Sequence, residues 1–200
     1  MKDDNNQIGA LLHNYAIFRP IFMAVKKRNG NKLPVAVLNE IRALNDHLAR
    51  CFGQQCQTPL SNEISKAEGH LYRAMLDTLK YHHMMVEDLM KRSEKLFGYH
   101  WFKVGGGEFW PSYSEKKRLN FELFKSAKEA ESAGKDDALQ KYIEAFEVQA
   151  QITQLLEQYS SELKLSWCEK LGRWLKVNAG WFLWTVFGAV ISAMVCKFME

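Results

Sequence analysis

Little in this chain breaks or cross-links a helix. Only 4 prolines and 12 glycines fall among its 200 residues, while Leu, Ala, Glu, Lys and Gln fill the long segments. That balance disfavours a sheet protein. The four cysteines, Cys51, Cys56, Cys168 and Cys196, include no C-x-x-C pair. A disulfide framework is therefore not expected, and a zinc site lacks its ligands, so neither metal nor cofactor is predicted. The net charge is only +4, too small to mark the whole chain as a nucleic-acid binder. The opening residues, MKDDNNQIGA, are acidic and polar and lack the basic and apolar regions of a signal peptide. The expectation is an all-α body held in a reducing cytoplasm.

Apolar spacing predicts five helices. The first runs from Asn6 to Arg28, with Leu11, Leu12, Tyr15, Phe18, Phe22 and Val25 as its inward set and Pro20 inside it. Pro34 opens the second, which continues through Arg50 with Leu38, Ile41, Leu44, Leu48 and Phe52 as its apolar face. Thr58-Pro59 opens a longer third helix to about Leu96. A glycine-rich stretch, YHWFKVGGGEFWPS, then reads as a loop with aromatic residues tucked against the bundle. It lacks the Lys-Ser/Thr ending and preceding strand of a phosphate-binding loop. The fourth helix is predicted over about Tyr113 to Ser132. The fifth starts at Asp136 or Asp137, with an inward stripe of Leu139, Ile143, Phe146, Ala150, Leu156, Tyr159 and Leu163.

One run is long and uncharged. Residues 177–196, VNAGWFLWTVFGAVISAMVC, number twenty, and at about 1.5 Å per residue they reach roughly 30 Å, a bilayer's hydrocarbon thickness. Trp174, Trp181 and Trp184 cluster at one end, and Lys164, Lys170, Arg173 and Lys176 precede the run. That pattern predicts a C-terminal transmembrane helix with the body, residues 1–163, on the cytoplasmic side and the C-terminus outside. Residues 164–200 then form a basic, Trp-rich juxtamembrane segment and the membrane helix. Thr185, Gly188 and Ser192 share one face of it, small enough to let helices approach closely within the lipid bilayer. Only one such span is read per chain, so a channel would need a ring of subunits, a homo-oligomer.

Polar residues line the second and third helices. Asn39, Arg42 and Asp46 share one side of the second, while Glu40, Ala43, His47 and Arg50 share another. On the third, His70, Arg73, Asp77 and Lys80 form a single line. The spacing leaves three roles open: a solvated, ion-paired face, a buried network fixing helix pairing, or a catalytic cluster.

RALNDH, residues 42–47, resembles the Arg-x4-6-His motif of HEPN domains (higher eukaryotes and prokaryotes nucleotide-binding domains), which are helical bundles. In active members an arginine and a histidine from two paired subunits act on one RNA phosphate without metal. The resemblance would assign Arg42 to the phosphate and His47 to proton transfer. Ala43 departs from the polar residue that active members commonly carry after the arginine.

An HEPN-like bundle joined to a membrane segment is similar to the accessory membrane proteins of type VI-B CRISPR-Cas systems. That resemblance implies an antiviral function: a homo-oligomer forming a pore in the bacterial inner membrane, in functional partnership with an RNA-guided RNase. Nuclease activity of its own and direct RNA binding are not required by that role. A membrane-anchored HEPN ribonuclease and a non-catalytic membrane adaptor are the alternatives.

Overall fold

The computed structural model describes residues 2–52 and 59–164, together with the single positions 172, 174 and 180. Within them the chain forms α1 (Lys2–Arg28), α2 (Val35–Phe52), α3 (Leu60–Glu94), a 3-10 segment (Tyr99–Gly107), α4 (Phe109–Ser132) and α5 (Ala138–Gln158). No strand occurs among the described residues, so the all-helical expectation holds. The predicted membrane segment, residues 177–196, and with it Thr185, Gly188 and Ser192, lies outside the described residues.

The longest helix among the described residues is the spine. At 35 residues, α3 extends roughly 50 Å, with α2 packed along it, α1 on it, and α5 against it. Its buried line runs through Ile64, Ala67, Leu71, Ala74, Met75 and Leu79, the three- and four-residue spacing of one helical stripe. Small Ala67 and Ala74 bring Leu11 and Phe18 of α1 and Leu44 of α2 into the same cluster. Each fully buried large side chain such as Phe18 contributes about 1.5–3 kcal/mol.

α4 and α5 form a helical hairpin. Gly134, in the left-handed region at φ +63°, stops α4, and the amide of Lys135 donates back to the Ala130 carbonyl at 2.9 Å, a glycine-dependent helix end. The hairpin packs on the lower half of α3 around Trp101, Phe109, Tyr113, Ile152 and Leu156. Trp101 and Phe109 come from the glycine-rich stretch and its junction with α4, so those aromatics do tuck inward, while Tyr99 and Phe102 stay exposed.

The glycines of that stretch make a latch. Gly105 adopts φ +58°, and a Cβ there would sit 2.7 Å from the Tyr159 ring. Its amide donates to the Glu162 carboxylate at 3.0 Å. The loop thus holds an anion, but an internal one. This grip coincides with the end of α5 at Gln158, where the Leu163 amide bonds back to the Tyr159 carbonyl at 2.9 Å and Leu163 turns inward. The sequence has no strong breaker there and reads as one helix continuing toward the uncharged run. Tertiary contacts end it instead.

Two apolar faces differ from their predicted composition. On α1, Leu11, Phe18, Ile21 and Val25 are buried, whereas Leu12 and Tyr15 are exposed. On α2, Val37 and Leu44 are buried and Phe52 is exposed. α1 is apolar nearly all round, so spacing alone could not choose its inward side. The helix covers 23 residues over Asn6–Arg28, and its most apolar 18-residue window has mean hydropathy 1.3, long and apolar enough to cross a membrane, with only 22% of that window buried.

Candidate functional site

Both α2 and α3 carry a glutamate one heptad before a histidine: Glu40 and His47 on α2, Glu63 and His70 on α3. Seven residues are nearly two turns, so each pair shares a face. The packed helices exchange partners. His47 Nδ1 lies 2.7 Å from Glu63 Oε2, and His70 Nδ1 lies 2.7 Å from Glu40 Oε2. The crossed pairing places α2 antiparallel to α3 along this seam. Side chains lean toward the N-terminus of their own helix, so in an antiparallel pair the two rings lean toward each other. They stack with centroids 5.2 Å apart and planes 20° from parallel.

Cations close both ends of this reciprocal clamp. Arg73 Nε donates to Glu40 Oε2 at 2.9 Å, and Lys66 Nζ donates to Glu63 Oε1 at 3.0 Å, with Arg50 at 3.8 Å from the other oxygen. Glu63 is 1% exposed, so these groups supply charge compensation where water cannot. Burial by itself would raise the Glu40 pKa. Hydrogen bonds from His70 and Arg73, and the charge of Arg73, outweigh it and hold the carboxyl below its ordinary value. An ionised Glu40 accepts only, so His70 Nδ1 carries the proton. The approach of Arg73 Nη2 to the same nitrogen, at 2.8 Å, is then a close contact between two donors.

The predicted site residues separate into those that meet and those that do not. His47, His70 and Arg73 meet in the clamp. Arg42 lies exposed on the outer side of α2 and, among the described residues, makes no hydrogen bond or ion pair; Asn39 and Asp46 share that exposed side. Arg42 and His47 therefore do not converge within one chain, as the roughly 140° between them on a helix requires. Lys80 leaves the line to bind Glu131 of α4, and Asp77 is half-buried with no ion pair among the described residues. Sequence reasoning placed Glu40 beside His47 on α2 without counting it as a site member, and it missed Glu63. The signal was the repeated Glu-x6-His spacing on two successive helices.

A second polar cluster lies deeper. Arg28 at the end of α1 donates to His82 Nε2 and to Thr153 Oγ1, both at 3.1 Å. An arginine only donates, so Nε2 accepts and the proton sits on Nδ1, which donates to Gln149 Oε1 at 2.7 Å. The Gln149 amide nitrogen then donates to Asn120 Oδ1 at 2.9 Å and His83 Nδ1 at 3.0 Å. Every hydrogen in this chain has one direction, and it ties α1, α3, α4 and α5 together. Burial first, then the Arg28 and His83 charges against the opposing Gln149 bond, push His82 down to about 4. His83 also sits near 4, chiefly from burial.

Among the described residues no group of three or more His, Cys, Asp or Glu is placed to hold a metal ion. In the clamp both carboxylates are spent on imidazoles and cations. No protein family, curated protein or solved structure matches this chain.

Proposed function

We propose that this chain is a membrane-associated helical module that self-assembles and permeabilises the bacterial inner membrane as an antiviral effector, with the α2–α3 clamp serving as scaffold. The observation that carries the scaffold role is the fate of RALNDH. His47 is committed to buried Glu63 on the neighbouring helix, while Arg42 stands apart on the outer face. Membrane association is supported by α1, whose composition suits an apolar setting that its packing supplies only in small part, and by the uncharged run at residues 177–196. The HEPN-like resemblance, the pore and the partnership with an RNA-guided RNase belong to the same proposal and rest on sequence resemblance.

One observation favours a second reading, a metal-independent ribonuclease. The stacked His47 and His70 each have a carboxylate on Nδ1, and neither Nε2 has a partner among the described residues. Two imidazoles so oriented are the groups a general acid and general base require. Expression in bacteria with membrane potential and RNA integrity followed together separates the two. Depolarisation with intact RNA is expected. RNA cleavage by purified, folded protein that disappears in both His47→Ala and His70→Ala would replace the pore with the nuclease.

A further inference from the structure

Away from the clamp, α3 and α4 enclose a groove of about 630 Å³ lined by Lys80, His83, Met84 and Glu87 on one side and Phe121, Phe124, Lys125, Lys128 and Glu129 on the other. Each set falls at three- and four-residue spacing, so each is one helical face. The floor is the more buried His83–Phe124 pair, whose rings stack on each other with centroids 3.3 Å apart and planes within 8°. At the rim Met84 and Phe121 are 66% and 65% exposed, large apolar groups left in water.

The charges are unevenly committed. Lys80 is held by Glu131, Glu87 is bound by Lys91 at 2.9 Å, and Glu129 lies a loose 3.8 Å from Lys125. Lys128 makes no close ion pair among the described residues, although its charge helps hold the Glu131 carboxyl low, and it sits 5.2 Å over the Phe124 ring. After burial, with Glu87 opposing, the charges of Lys128 and Lys91 add to the depression of the His83 pKa, so both cations reach the floor of the groove electrostatically.

We propose that this groove binds a planar ring carrying a phosphate, of the size of a nucleoside monophosphate, with the ring stacked on Phe121 and the phosphate on Lys128 and Lys125. Aromatic side chains beside lysines form the arrangement that holds unpaired bases without reading their sequence. The volume lies in the ordinary range for small-molecule sites. A purely apolar ligand would leave Lys128 unused, and a bare anion would leave Phe121 and Met84 in water.

Titration calorimetry of the full chain in detergent tests this with adenosine 5′-monophosphate, ribose 5-phosphate and adenosine. The monophosphate should bind more tightly than either fragment. Phe121→Ala and Lys128→Gln, both at exposed positions, should each weaken it by about tenfold with thermal unfolding unchanged. Equal binding of ribose 5-phosphate and the monophosphate would reduce the groove to an adventitious anion site. No binding, or unaltered binding by both variants, would overturn the proposal. So would loss of self-association in Phe121→Ala with no nucleotide effect, which would make the face a contact between copies.

Discussion

At the scale of single residues, Arg42 and His47 are five positions apart and physically unlike. Arg42 is exposed and makes no ion pair among the described residues, so Arg42→Ala should change unfolding free energy by less than about 0.5 kcal/mol. Removing His47 leaves the 1%-exposed Glu63 short of its 2.7 Å hydrogen bond. A broken buried pair costs about 3–5 kcal/mol; Lys66 and Arg50 remain nearby, so His47→Ala should fall near the lower end. Urea unfolding of the two variants checks the contrast. Equal effects would mean that the clamp does not hold α2 to α3. Activity lost in His47→Ala must therefore be read alongside its stability.

At the scale of elements, the decisive join is the latch between the 3-10 segment and the turn after α5. Gly105 is left-handed and has the Tyr159 ring where a side chain would begin. Gly105→Ala combines backbone strain of about 1–3 kcal/mol with displacement of that ring. A loss of about 2–4 kcal/mol in denaturant unfolding is the expected outcome. Gly106 has φ +67° but open space where its Cβ would lie, so Gly106→Ala should cost less. Losses of the same size at both positions would remove Tyr159 from the explanation.

At the scale of the whole molecule, the Arg28–His82–Gln149 network ties together α1, α3, α4 and α5. It requires a neutral His82, because a protonated ring has no lone pair to accept from Arg28. The folded ring titrates near 4 and the unfolded one near 6.5, so below 6.5 the unfolded chain takes up a proton that the folded chain refuses. Stability is complete above that pH and drains as pH falls from about 6.5 toward 4. The drop from His82 alone is roughly 3 kcal/mol. His83, also near 4, adds a contribution of the same sign, so unfolding measured across that window should show a slope that His82→Gln reduces by about half rather than abolishes. Arg28 also bears on the membrane question. Arg28 is exposed, but its guanidinium ties the end of α1 to the body, so α1 cannot leave the bundle without giving up the Arg28 contacts to His82 and Thr153.

Composition and spacing were enough to establish that the body is helical, and they placed most helix ends within a few residues. Proline, glycine and apolar periodicity act locally, and those decisions are local. They also put Glu40, His47 and Arg50 on one side of α2 and His70 with Arg73 on one line of α3. Which line faces which is a matter of packing. Only the antiparallel contact turned two separate Glu-x6-His repeats into exchanged pairs and set His47 against Glu63 rather than beside Arg42. On α5 the predicted stripe named Leu139, Ile143, Phe146 and Ala150, yet Tyr142, Ala145, Gln149 and Ile152 are deeper. Two polar side chains, Gln149 and Thr153, sit in that buried line because partners on α1, α3 and α4 satisfy them. A sequence records the propensity to bury a side chain; the neighbouring helices supply the hydrogen bonds that make burying a polar one possible.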